Sequence, residues 1–329
     1  MVYHNILDPM LGFPMLSRNI TRIAAILVAV LFSTLPVSAS AAPVVAATIK
    51  PLQFIAAAIT DGVTEPRVLV PESQSYHHFI VRPSTVRLLR EADLVLWVGP
   101  ELETYLADSI NDFANATVQA LAVSGLAVHY LPDIETTGET NVPESGQHAG
   151  HQHHGVSGID PHIWLNTQNA EQVATVLAEQ LSAIDPANEA RYLQNLATFR
   201  VELQLIRESV VQRLQPYLDR PYAVYHDAFQ YFEQEFGLSH QLVIANSDEI
   251  QPGVRKLMSL RDAFASQELS CLMEDVTSQE STINTALGRV QLNRIKADTT
   301  GQNLTSSPRA YIQLINDLGL AFAQCFSDH

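Results

Sequence analysis

Only two cysteines, Cys271 and Cys325, occur in 329 residues, too few and too far apart for a thiolate metal pair. Positive charge is also scarce: 19 Lys and Arg stand against 35 Asp and Glu, a formal charge of -16 at pH 7. That balance argues against nucleic acid or an anionic membrane surface as a partner and favours cations. The chain holds no His-Glu-x-x-His helix, no Gly-x-Ser-x-Gly elbow and no phosphate-binding Gly-rich loop, so the common hydrolase and phosphoryl-transfer signatures are missing. No apolar run is long enough for a spanning helix; the longest, Ile23 to Val37, falls short of the roughly 20 residues a bilayer requires.

That run follows Arg18 and Arg22 and leads into Ser38-Ala39-Ser40-Ala41-Ala42-Pro43. A basic start, a short apolar stretch and small residues make a secretory signal over residues 1–41. The mature chain is therefore expected to be exported and soluble, with no lipid anchor through a cysteine after the run. In an exported chain an even cysteine count points to a Cys271–Cys325 disulfide. With 47% hydrophobic and 16% charged residues, the remainder has the composition of a folded globular protein with room for two lobes.

Along the chain, short β-rich runs alternate with helical spacing. Val44–Ile49, Val68–Pro71, Ala92–Gly99 and Val118–Leu121 read as strands, with helices over 52–59, 84–91 and 102–113 between them. Strand–helix–strand alternation implies a parallel sheet. The pattern returns after residue 217, with strands at Tyr222–Tyr225, Leu242–Ile244 and Ser270–Met273 and helices at 229–236, 254–266, 281–291 and 308–324; the stretch 290–295 is ambiguous. Between the two series, Tyr192, Leu196, Phe199, Leu203, Ile206, Val210 and Leu214 form one apolar stripe on a helix from about residue 188 to 214. The expected architecture is α/β: a first lobe over 42–185, a linking helix within 186–216 and a second lobe over 217–329, with a cleft between them.

Histidine is what the chain has in an unusual pattern. His148, His151, His153 and His154 crowd a polar, Gly-bearing segment within 133–158 that has no apolar periodicity. Such a tract collects metal loosely, or is a plain hydrophilic loop; it does not build a fixed site. A fixed site is sought among His77, His78, His162, His226 and His240. His77 and His78 lie in a strand-to-helix loop, His226 directly follows a strand, and His162 follows an Asp-Pro turn. Ligand groups of open α/β sheets sit at such strand ends.

The ordered runs His77-His78-Phe79-Ile80-Val81-Arg82-Pro83-Ser84, Ala92 through Glu101, Asp160-Pro161-His162-Ile163-Trp164-Leu165, Tyr225-His226-Asp227-Ala228-Phe229 and Glu249-Ile250-Gln251-Pro252-Gly253 resemble the zinc-uptake solute-binding proteins of bacterial ABC transporters. The resemblance spans nearly the whole mature chain. It implies two α/β lobes joined by one rigid helix, Zn²⁺ held between them by His77, His162 and His226, and delivery to a membrane permease from the periplasm by a monomeric carrier that is not an enzyme. Position by position it also marks Asp298 as a fourth donor, with water or a turn role as alternatives, and leaves His148, His151, His153 and His154 as an auxiliary metal-binding loop. It supports the Cys271–Cys325 bridge as well. Relatives that take manganese or iron carry Glu at the position of His226, so three imidazoles favour Zn²⁺. Two other readings remain open: a zinc hydrolase using Glu249 or Asp227 as base, and an exported metal buffer or adhesin without a transporter.

Overall fold

A computed structural model describes residues 41–71, 74, 76–77, 79–131, 158–245, 252–276 and 278–327. Two four-stranded sheets, all of whose neighbours run parallel, organise the chain. The first contains β1 (Val45–Ala47), β2 (Arg67–Val68), β3 (Leu94–Trp97) and β4 (Thr117–Gln119) in the order β2-β1-β3-β4. The second contains β5 (Ala223–His226), β6 (Leu242–Ala245), β7 (Cys271–Glu274) and β8 (Asn293–Lys296) in the order β6-β5-β7-β8. The second sheet thus repeats the first strand for strand. β1, β3, β5 and β7 are buried at every position, the continuous burial expected where helices cover both faces of a parallel sheet.

Nine helices lie among the described residues: α1 (Lys50–Thr60), α2 (Pro83–Glu91), α3 (Thr104–Phe113), α4 (Thr167–Ile184), α5 (Glu189–Leu214), α6 (Gln230–Phe236), α7 (Val254–Ser266), α8 (Glu280–Leu287) and α9 (Ala310–Phe326). Their starts follow local chemistry. Pro83 occupies the first turn of α2, where its missing N–H and fixed φ cost nothing. For α4, the Asn166 side chain accepts from the Asn169 N–H at 2.9 Å, satisfying one of the unpaired amides of a helix start. α6 stops at Gly237, whose φ of 75° is a left-handed conformation that costs a side chain dearly.

The core lies between the two sheets. One apolar cluster takes in Val45, Leu94 and Leu96 of the first sheet, Val224 and Met273 of the second, and residues of α1, α4, α5 and α9. Smaller clusters fill the outer faces, one around Leu89, Trp97 and Ile110, the other around Tyr225, Phe264 and Leu272. α5 buries its whole expected stripe, Tyr192 through Leu214, and packs against α1 and α4 of the first half and α9 of the second. At 26 residues it runs about 39 Å, at 1.5 Å per residue. Residues 42–329 consequently form one compact unit.

Several expected boundaries move for identifiable reasons. α3 begins at Thr104 rather than Leu102 because the Glu103 side chain turns back, accepting from the Gly99 N–H at 2.9 Å and from the Thr48 hydroxyl. The ambiguous stretch 290–295 resolves into β8, paired along β7. The expected strand through Leu121 ends at Gln119 and gives way to a 3₁₀ turn. The expected signal segment lies outside the described residues except for Ala41, and no helix among the described residues is long and apolar enough to cross a membrane.

Cys271 on β7 and Cys325 on α9 are bonded to each other and fully buried. Their bridge closes a 54-residue separation, which stabilises by about 4 kcal/mol on the chain-entropy model. Replacing both by Ala is expected to lower the unfolding free energy by about that amount in urea titration; a change below about 1 kcal/mol would show the bridge to be energetically idle.

Glu103 yields a second prediction. Its burial pushes the carboxyl up from 4.5 to about 7, against the hydrogen bonds from Thr48 and Gly99, which pull it down. The unfolded chain then ionises first, so the contribution of this group to stability is largest below pH 4.5 and declines as pH rises towards 7. Thermal midpoints of Glu103→Gln should become more favourable relative to the parent across that window, and a pH-independent difference would refute the burial account.

Candidate metal centre

Three histidines from separate parts of the chain meet at the carboxyl ends of the sheets. His226 is the last residue of β5, His162 directly precedes the 3₁₀ turn Ile163–Leu165, and His77 lies in the loop between β2 and α2. One ring nitrogen of each lies within 4.8 Å of those of the other two, and among the described residues this is the one such group of three or more His, Cys, Asp or Glu. Ring centroids stand 5.8 Å apart for His77–His162, 6.0 Å for His77–His226 and 5.3 Å for His162–His226. Two Zn–N bonds of about 2.0–2.1 Å span at most about 4.2 Å, so small side-chain shifts would let one ion reach all three.

His162 and His226 are buried, with 1% and 3% of their surface exposed, while His77 is half-buried. Burying an imidazole is costly unless its polar atoms are occupied. For His162, Nδ1 pairs with Asp160 Oδ1 at 2.6 Å. His226 Nδ1 pairs likewise with Asp275 Oδ2 at 3.0 Å. Both carboxylates act as acceptors, which places the proton on Nδ1 and leaves Nε2 as a lone-pair donor in each ring. The Nε2 of His162 is buried without a hydrogen-bond partner among the described residues, the surroundings that suit a nitrogen facing a metal.

The framework behind the rings is aromatic and rigid. Tyr76 stands edge-on to Trp164 with centroids 5.9 Å apart, and Trp164 lies 5.2 Å from His162. The Tyr105 hydroxyl donates to the Tyr76 carbonyl at 2.6 Å and so ties the His77 loop to α3. Tyr231 of α6 donates to the Asp160 carbonyl at 2.8 Å and accepts from the His129 N–H at 3.1 Å. The same strip holds the feet of the His-rich segment together, through an antiparallel bridge between Tyr130 and Ile159 and the bond from Leu131 N to Gly158 O at 2.5 Å.

Not every expected residue joins the cluster. The Asp298 carboxylate accepts from Thr300 N and Oγ1, both at 3.1 Å, and from Asn303 N at 3.3 Å, and it is not one of the three grouped residues. His240 pairs instead with Glu233, 2.9 Å from either oxygen, and faces Asp227 at 3.9 Å. Burial disfavours its charge, but those two carboxylates prevail and raise its pKa. Asp227, one of the two bases considered for a hydrolase, is buried and its pKa is raised, chiefly by that burial. His78, Glu249 and the tract His148, His151, His153 and His154 lie outside the described residues. Sequence reasoning missed Asp275 altogether; its one available signal was its place immediately after β7, the strand-end position that had singled out His226.

The family model for the periplasmic component A of zinc-uptake complexes matches residues 45–325. The high-affinity zinc uptake system protein ZnuA of Yersinia pestis is 31% identical over 319 residues, covering 94% of this chain and 99% of its own length. Its counterpart from Haemophilus ducreyi is 30% identical, with 85% and 92% covered. Among solved structures, a crystal structure of ZnuA matches with a TM-score of 0.71 at 20% identity over 87% of this chain and all of its own. A zinc-bound ZnuA lacking residues 138–173 of its own numbering matches at 0.70, with 20% identity over 88% and 99%. A family match running from β1 into the last turn of α9 and a relative 31% identical over most of both chains lead to one assignment: the chain belongs to the family of periplasmic zinc-uptake component A proteins.

Proposed function

We propose that this protein captures a single Zn²⁺ ion between His77, His162 and His226 and hands it to the permease of an ABC importer. The observation that carries the reading is the meeting of three imidazole donors, drawn from both halves of the chain, within 4.8 Å of one another. Imidazole nitrogen suits zinc better than it suits manganese, calcium or magnesium, which take harder oxygen donors. Asp160 and Asp275 behind two of the rings offset the dipositive charge of the ion. The fourth position falls to water or to Asp298, which would have to give up its turn hydrogen bonds to reach it. Export through the segment 1–41, a soluble monomeric state in the periplasm, and the division into lobes 42–185 and 217–329 around a linking segment 186–216 belong to the same reading. No turnover is proposed: the site holds cargo, and neither Glu249 nor Asp227 is assigned to a metal-bound water.

Single Ala substitutions at His77, His162 or His226 should each weaken zinc binding by roughly tenfold or more, as each removes one of at most four ligands. Asp275→Asn, which keeps the shape but weakens the hold on the His226 tautomer, should cost about tenfold to a hundredfold. Competition titration against a chelator of known affinity measures both. Undiminished affinity in any one variant that retains its fold would remove that residue from the site.

Deletion of 133–157 tests the His-rich tract separately. Its four histidines must lose chain entropy to converge on a metal, so calorimetry of the deletion protein should show the weak binding events gone and one tight zinc retained. Loss of the tight event would mean that the tract supplies a primary ligand.

A further inference from the structure

Lys50 is out of place by ordinary rules. It is the first residue of α1, where the positive end of the helix dipole disfavours a cation, and only 6% of its surface is exposed. A buried ammonium must find acceptors. Lys50 Nζ donates to the carbonyls of Gln302 at 2.9 Å and Leu304 at 2.6 Å, and it stands 5.6 Å from the centre of the Phe54 ring. Those two carbonyls belong to the segment that follows β8, in the other half of the protein.

That segment is shaped for the contact. The Asp298 carboxylate gathers Thr300 and Asn303 into a turn. Gly301, at a φ of 67°, lies so close to Phe54 that a Cβ there would come within 2.5 Å of the ring. Two residues earlier, the Thr299 carbonyl accepts from Trp164 Nε1 at 2.9 Å. Residues 299–304 are thus held at two points of the first half: at Lys50, just beyond β1, and at Trp164, whose ring lies against His162. Thr300 and Gln302 also line a small cavity with Lys50 and Tyr76, the neighbour of His77.

The three imidazoles divide in the same way, His77 and His162 from the first half and His226 from the second. Separating His226 from the other two would strain or break the contacts at Lys50 and Trp164. We propose that the segment Asp298–Leu304 is a clasp across the two halves, that Lys50 is the positioning residue that pins it, and that the clasp sets the rate at which zinc leaves the site. The proposal rests on the zinc-binding reading given above. It also gives the Asp298 carboxylate a role that needs no bond to the metal, and it gives the buried lysine a purpose.

The test is zinc release from the loaded mature chain into an excess of chromogenic chelator, followed by stopped flow, for the parent, Lys50→Met and Lys50→Arg. Lys50→Met should release zinc faster by roughly tenfold or more, the scale of a lost hydrogen bond to a charged group, with the association rate unchanged. Lys50→Arg, which retains charge and donors, should restore most of the slow release. A Lys50→Met protein that is less heat-stable yet releases zinc within about twofold of the parent would make Lys50 merely structural and overturn the clasp. If Lys50→Met does not fold, Thr300→Val, which removes the hydroxyl donor that Asp298 uses to hold the segment in its turn, is read in the same way. A parent that fails to bind one tight zinc would instead remove the functional reading on which the clasp depends.

Discussion

Two carboxylates, Asp160 and Asp275, each take the Nδ1 proton of a buried histidine in a hydrogen bond, and the chemistry of the site depends on that pairing. Without it, two imidazoles would sit in the interior with undetermined tautomers and no fixed direction. With it, each ring keeps Nε2 as its lone-pair nitrogen, and that of His162 is buried without a hydrogen-bond partner among the described residues. The carboxylates come from different places: Asp160 from the foot of the His-rich segment, Asp275 from the end of β7. Each half of the protein therefore orients one histidine with its own acid.

The fold makes this convergence possible through direction. In an all-parallel sheet every strand ends at the same edge, so loops that begin in distant parts of the sequence open onto one line. Two such sheets, covered by the shared helical layer of α1, α4, α5 and α9, bring their edges together at the three histidines. α5 buries one stripe against helices of both halves.

Much of this was legible in the residues themselves. The apolar stripe from Tyr192 to Leu214 foretold α5 because apolar residues recurring at three- and four-residue steps over so long a stretch fall on one face only in a helix. His226 stood out because it follows an unbroken buried strand. Asp275 did not, since one carboxylate among 35 acidic residues carries no signal until β7 is paired with β5 and its end is placed beside His226. Lys50 was invisible for a similar reason: its partners are the backbone carbonyls of Gln302 and Leu304, and carbonyl groups leave no trace in side-chain identity. The start of α3 was misplaced because the turn of Glu103 towards Gly99 and Thr48 depends on β1 and β3 lying side by side, a contact across 55 residues.

The proposed site binds one zinc ion through three imidazoles drawn from both halves of the chain. X-ray absorption spectroscopy of the protein loaded with one equivalent of zinc tests it most directly. Three imidazoles completed by water or a carboxylate should give a four-coordinate first shell of nitrogen and oxygen at about 2.0–2.1 Å, no sulfur at about 2.3 Å, and outer-shell scattering that fits three histidine rings. A shell that fits fewer than three imidazoles, or a six-coordinate shell dominated by oxygen, would contradict it.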